Sequence, residues 1–161
     1  MTNKFTIRRG EARDAAALAE FNSLMAFETE HLKLLPEVIL AGVKTMINNP
    51  AHGFYLVAET DGTIAGSLMV TTEWSDWRNG VIWWVQSVYI RGEYRRQGIY
   101  RALYEQVKTL ADADESVCGF RLYVEKDNIN AQRTYQALGM LEKDYLIYEE
   151  IRDGVRYCED S

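Results

Sequence analysis

The residues Arg95-Arg96-Gln97-Gly98 are of the types that hold an anion, and their neighbours strengthen that reading. Gly98 lets a backbone approach a ligand where a side chain would obstruct it. Ile99, Leu103, Val107 and Leu110 follow at helical spacing. A helix starting here would present N–H groups with no intrahelical acceptor, at the end where its dipole favours negative charge. The chemistry expected of the loop is phosphate or pyrophosphate binding. Neither Gly-Lys-Ser/Thr nor G-x-G-x-x-G occurs, so a nucleoside triphosphate or a dinucleotide is not the natural ligand.

Two further groups carry chemistry. In T-E-W-S-D-W-R, Thr72 to Arg78, the acids Glu73 and Asp76 stand among Trp74 and Trp77. Acid beside aromatic surface is a sensible environment for a cationic amine, although plain solvation is the blander alternative. In L-Y-V-E-K-D-N-I-N-A-Q-R-T-Y-Q-A-L-G-M, Leu122 to Met140, Asn128 occupies the place of a helix N-cap. Ala131 and Tyr135 lie four apart and share a helix face, with small Ala131 leaving room for something thin. Taken singly, these could be an ordinary cap and an ordinary core tyrosine. His31 and His52 are isolated, so no metal set is expected.

Together the two stretches resemble the GNAT superfamily, the acetyl-CoA-dependent N-acetyltransferases, over nearly the whole chain. In that family R/Q-x-x-G-x-G/A binds the pyrophosphate of coenzyme A, and Arg95, Gly98 and Tyr100 take the three signature positions. Tyr100 departs from the usual Gly or Ala; its backbone N–H can still donate, with the ring expected to turn away. The resemblance implies cofactor contacts from Arg95, Arg96, Gln97, Gly98, Ile99, Tyr100 and Arg101. It implies an oxyanion donor and a pantetheine-pairing edge from the main chain of Val88, Tyr89 and Ile90. Asn128 would meet the amide arm of the cofactor beside Ala131, and Tyr135 would protonate the departing thiolate. Many members carry a catalytic Glu where this chain has Gln86, which cannot take a proton near neutral pH. The base is then a water held by Gln86, or an acid such as Glu73 or Asp76. Glu28 and Glu30 are further candidates for that role, in a region the family uses for substrate, and with Trp74 and Trp77 they complete the acceptor candidates.

The function implied is acetyl transfer from acetyl-CoA to a primary amine of a small molecule or peptide, by direct attack in a ternary complex. A competing reading, kept open by Gln86, is an acyl-CoA-binding sensor without turnover. The resemblance also leaves a homodimer open, since pairing through a sheet edge is frequent in the family.

These residues require particular elements behind them. Val81 to Ile90 is apolar with no polar face: Trp83, Val85 and Tyr89 alternate against Ile82, Trp84, Val88 and Ile90, as in a central strand. Other strands are expected at Phe5–Arg9, Phe54–Glu59, Thr63–Thr72, Val117–Glu125 and Met140–Ile151, with Asp61-Gly62 as a tight hairpin turn. Glu73–Gly80 reads as a polar connection. Helices are expected at Glu11–Glu30, Pro36–Ile47, Gly98–Ala111 and Asn128–Leu138, with Gly139 as a C-cap. The order is α/β, and the GNAT resemblance makes it one domain, residues 1–161. It implies a mixed sheet of about six to seven strands, about four helices and splayed central parallel strands.

Composition agrees. The chain has 161 residues, 47% hydrophobic and 26% charged, as in an ordinary globular protein. A net charge of −6 argues against a nucleic-acid partner. From Arg91 to Arg101, however, four arginines face one glutamate, a basic island suited to a small polyanion. No apolar run is long enough to span a bilayer. Cys118 and Cys158 form no disulfide framework, and Cys118 is expected in the core. With no signal peptide at Met1-Thr2-Asn3-Lys4, a cytoplasmic, reduced protein is expected.

Overall fold

The computed structural model describes residues 4–159. The expectations for Met1 to Asn3 and for the end of the polar tail lie outside those residues. The chain divides into two compact units, Leu122–Arg156 and the remainder.

The larger unit is a five-stranded sheet in sequence order: β1 (Thr6–Arg9), β2 (Gly53–Thr60), β3 (Thr63–Ser75), β4 (Gly80–Ile90) and β5 (Val117–Arg121). The first four strands are antiparallel and β4 to β5 is parallel, so the sheet is mixed. Asp61 and Gly62, both left-handed, make the two-residue turn between β2 and β3, as their types predict. Two helices, α1 (Ala15–Glu30) and α2 (Pro36–Asn48), cover one face. Ala15, Leu18, Ala19 and Val43 pack there with Tyr55 and Val57 of β2. The alternate residues of β2 point the other way, toward α3 (Ile99–Asp112). On that side Phe54 meets Trp83 edge to face, and Tyr104 of α3 meets Phe120 of β5. Ile99, Leu103, Tyr104, Val107 and Ala111 form the buried stripe of α3.

A short 3-10 turn, Ala12–Asp14, precedes α1, and the amide of Glu11 donates to Asp14 Oδ2 at 2.7 Å. Asp14 is 3% exposed and accepts from both Nη1 and Nη2 of Arg8, at 2.8 and 2.9 Å. Burial alone would raise its pKa, but these bonds and the Glu11 amide hold the carboxyl below its ordinary value.

Several sequence expectations need correction. Among the described residues the sheet has five strands rather than six to seven: residues 140–151 enter no ladder, because an alternating pattern makes a strand only where its backbone finds a paired edge. The strand from Val117 stops at Arg121, the last residue in register with β4, rather than at Glu125. The polar connection from Glu73 is strand at both ends and turn only over 76–79, since Glu73, Trp74 and Ser75 remain paired with Ile82, Val81 and Gly80. Cys118 is exposed, as the edge position of β5 gives it a strand neighbour on one side only.

In the smaller unit, α4 (Ile129–Ala137) is capped by Asn128, whose Oδ1 accepts from the Ala131 amide at 3.1 Å. It ends at a left-handed Gly139, with the Met140 amide donating to the Tyr135 carbonyl at 3.1 Å.

Candidate active site

The site begins with a break in β4. Met69 is in register with Gln86 but Ser67 with Tyr89, so β4 has an extra residue against Leu68. Ser87 takes up the irregularity with φ 51, left-handed and uncommon for a residue with a Cβ. Gln86 and Tyr89 are three apart, which in a regular strand would set them on opposite faces. The bulge puts both on the face covered by α1, where the Tyr89 ring lies 5.2 Å from Phe21. The simple alternation read from the sequence therefore fails at Ser87.

That face carries a row of polar contacts. Glu73 accepts from Trp84 Nε1 at 3.0 Å and from Arg121 Nη1 at 2.7 Å. Gln86 donates through Nε2 to Thr71 Oγ1. In α1, Glu28 accepts from the Tyr89 hydroxyl at 3.2 Å and from Arg95 Nη2 at 3.2 Å. Burial first, and then the Glu28 carboxylate, push the Tyr89 hydroxyl above an ordinary tyrosine. Register places Glu73, Thr71, Trp84 and Gln86 on one face, because paired residues of an antiparallel ladder share a face.

The other expected acceptor residues lie apart from this row. Asp76 sits in the hairpin turn and accepts from the Trp77 amide at 2.9 Å. Trp77 is 87% exposed and Trp74 is 61% exposed. Glu30 is an exposed residue ending α1. Asn128, Ala131 and Tyr135 belong to the smaller unit, where Ala131 and Tyr135 are partly buried on α4.

Two features suit a nucleotide-like thioester. The β4–β5 ladder ends at Trp84 and Arg121, while β4 runs on to Ile90. Among the described residues no strand pairs with that edge over Val85–Ile90, which leaves main-chain groups open to an extended ligand. Beyond it, the loop reaches α3 through Gly98, the N-cap, at φ 79. A Cβ built on Gly98 meets nothing within 4 Å, so the space before the helix is clear for a ligand. The first α-helical bond there is Ala102 N to Gly98 O at 3.0 Å, so the earlier amides of the turn precede the helical ladder. Tyr100 stacks on Tyr104 with ring centroids 6.3 Å apart, directing its ring along α3. The residues present fit a pyrophosphate-bearing cofactor. No group of three or more His, Cys, Asp or Glu side chains among the described residues could hold a metal.

Ser87, Thr71, Trp84 and Arg121 were missed from the sequence. Arg121 had a signal: a charge closing an apolar strand needs an acid partner. Ser87 had none, because no residue type there marks a bulge.

Comparison with known proteins matches this architecture. The profile of the acetyltransferase (GNAT) family matches residues 17–140. A crystal structure of a possible acetyltransferase from Clostridium difficile 630 is 43% identical, covering 92% of this chain and 97% of that chain with a TM-score of 0.85. The aminoglycoside N-acetyltransferase AAC(6')-Iy, solved in complex with CoA, shares the fold at 15% identity, covering 94% of this chain and 97% of its own, with a TM-score of 0.74. So does the aminoglycoside acetyltransferase meta-AAC0020 from an uncultured soil metagenomic sample, in complex with sisomicin: 14% identity, 93% and 98% coverage, TM-score 0.76. No curated protein matches the chain. The chain belongs to the GNAT acetyltransferase family and is an acyltransferase.

Proposed function

We propose that the protein moves the acetyl group of acetyl-CoA to a primary amine of a small molecule or exposed peptide, by direct attack in a ternary complex. We read residues 1–161 as one N-acetyltransferase domain. The observation that carries the proposal is the open edge of β4 running into the arginine-glycine loop and the start of α3. The solved complex of AAC(6')-Iy with CoA supports the choice of cofactor.

When bound, acetyl-CoA supplies an activated thioester whose thiolate can leave. The chain must bind it, orient the amine and handle two protons. Amides of the loop from Arg95 to Arg101 hold the pyrophosphate, helped by the dipole of α3. Val88, Tyr89 and Ile90 align the pantetheine arm and supply an N–H donor to charge developing on the acyl oxygen. Asn128 and Ala131 receive the amide arm, and Tyr135 donates the proton to sulfur. Gln86 orients a water rather than taking a proton itself. Glu73 is the first choice for the base and Asp76 the second, because Glu73 shares the face of Gln86. Glu28, Glu30, Trp74 and Trp77 receive the acceptor.

The test is release of free thiol from acetyl-CoA against a panel of amines, with coenzyme A binding followed by calorimetry. Turnover with at least one amine is expected. Gly98→Val should bind coenzyme A more than about tenfold more weakly, since a β-branched residue resists positive φ and fills the space before the helix. Unchanged affinity in a folded Gly98→Val protein would remove the loop from the cofactor site. Binding without any turnover would leave the sensor reading instead.

A further inference from the structure

Arg95 opens the loop assigned to the pyrophosphate, yet its guanidinium is directed at protein groups. Nε donates to the Ile90 carbonyl at 2.9 Å, and Nη2 to Glu28 Oε2 at 3.2 Å. The cation also lies 5.6 Å from the centre of the Tyr89 ring. The Tyr89 hydroxyl closes the circuit by donating to Glu28 Oε1 at 3.2 Å. Thus the last turn of α1, the end of β4 and the loop before α3 meet in one cluster. Arg96 differs. It is exposed, left-handed at φ 63, and in no ion pair among the described residues.

We propose that the adjacent arginines serve different ligands. The Arg96 side chain and the loop amides meet the cofactor's phosphates. The Arg95 side chain is a positioning residue for the acceptor, holding Glu28 and the Tyr89 hydroxyl as the point that binds its ammonium group. This deepens the acetyl-transfer reading and rests on it.

An ammonium ion has only donors, so its site must offer oxygen acceptors. A carboxylate has about four lone-pair sites, of which Tyr89 and Arg95 occupy one on each oxygen, and the others remain for an amine. Two donors from different elements also fix the carboxylate plane, which a single contact would leave free to rotate. Fixing is needed at this place: α1 ends two residues later, at Glu30, before a left-handed His31, and terminal turns fray. The ion pair is not there for stability. Its side chains are 49% and 46% exposed, and such pairs add little to folding. Removing either partner should therefore leave a folded protein.

The experiment pairs calorimetry of coenzyme A at two salt concentrations with steady-state kinetics for the best amine. Arg96→Ala should weaken coenzyme A about tenfold, more at low salt than at high, because exposed charge contacts are screened. Arg95→Ala should hold that affinity within about twofold while raising the amine KM about tenfold with kcat little changed, the pattern of lost uniform binding. Glu28→Gln should reproduce the Arg95→Ala effect. The double variant should be no worse than either single, since partners in one network are not additive. Loss of coenzyme A affinity in Arg95→Ala as large as in Arg96→Ala would overturn the proposal, as would additive effects of Arg95→Ala and Glu28→Gln on KM. If the native protein acetylates no amine, the acetyl-transfer reading fails by itself. The calorimetric comparison of the two arginines then still decides which of them is the phosphate ligand.

Discussion

At the scale of single residues, the proton chemistry is the most exposed to test. Tyr135→Phe removes one hydroxyl and little volume, so coenzyme A binding should persist while kcat falls about 10²-fold, as for a lost general acid. Full activity would mean that the thiolate leaves unaided. Glu73→Gln keeps an oxygen for Trp84 Nε1 and loses the charge that pairs with Arg121. If Glu73 is the base, kcat/KM falls and the acidic limb of its pH profile moves, because that limb reports ionising groups of the free enzyme and substrate. Asp76→Asn is the control from the exposed turn; an effect on the limb there and none at Glu73 would reverse the assignment. The role given to Tyr135 rests on the family resemblance, but the Gly98 and Asn128 helix caps were legible from residue type and spacing. The partners were not, because Glu73 with Arg121 and Glu28 with Arg95 are joined across 48 and 67 residues of sequence, a distance that local patterns do not span.

At the scale of elements, the bulge in β4 decides which side chains share a face. Ser87→Val places a β-branched residue in the left-handed region and should cost about 1–2 kcal/mol of stability. If the bulge shifts to relieve that strain, Gln86 and Tyr89 separate and kcat falls with it. Ser87→Gly accepts the same φ without strain and should retain activity, which distinguishes backbone geometry from loss of the hydroxyl. Urea unfolding with steady-state kinetics on both variants checks this, and equal behaviour of the two would show that the φ at Ser87 is immaterial. The helix α1 starts four residues later than expected, at Ala15 behind the 3-10 turn Ala12–Asp14, but the other helices and the β2–β3 turn were legible to within a residue, because capping residues, Pro36 and Asp61-Gly62 punctuate them. The bulge was not, since one inserted residue reverses the alternation without changing composition. The strand expected at residues 140–151 failed for a related reason: alternation describes two faces of a chain and says nothing of a partner edge.

For the whole molecule, the pair of half-buried Arg8 and buried Asp14 ties β1 to the entrance of α1 and makes folding sensitive to acid. The folded pKa of Asp14 is depressed, so its contribution is complete above the unfolded value near about 3.9 and fades as pH falls through the folded one. Asp14→Ala should cost about 3 kcal/mol at pH 7, because it strands Arg8 beside Glu59 alone. The gap from the native chain should narrow on going to pH 3, measured by urea midpoints; a constant gap would show that the carboxylate charge is not what matters. The placing of the tryptophans has an optical consequence. Trp74 and Trp77 stand in solvent, Trp83 is buried against Phe54, and Trp84 gives its indole N–H to Glu73. With Trp74 and Trp77 replaced by Phe, which keeps an aromatic surface for the acceptor, the tryptophan emission would come from β4 alone. An amine that draws on the Glu73 carboxylate alters the hydrogen bond of Trp84, so the colour of the emitted light reports acceptor seating before any acetyl group has moved.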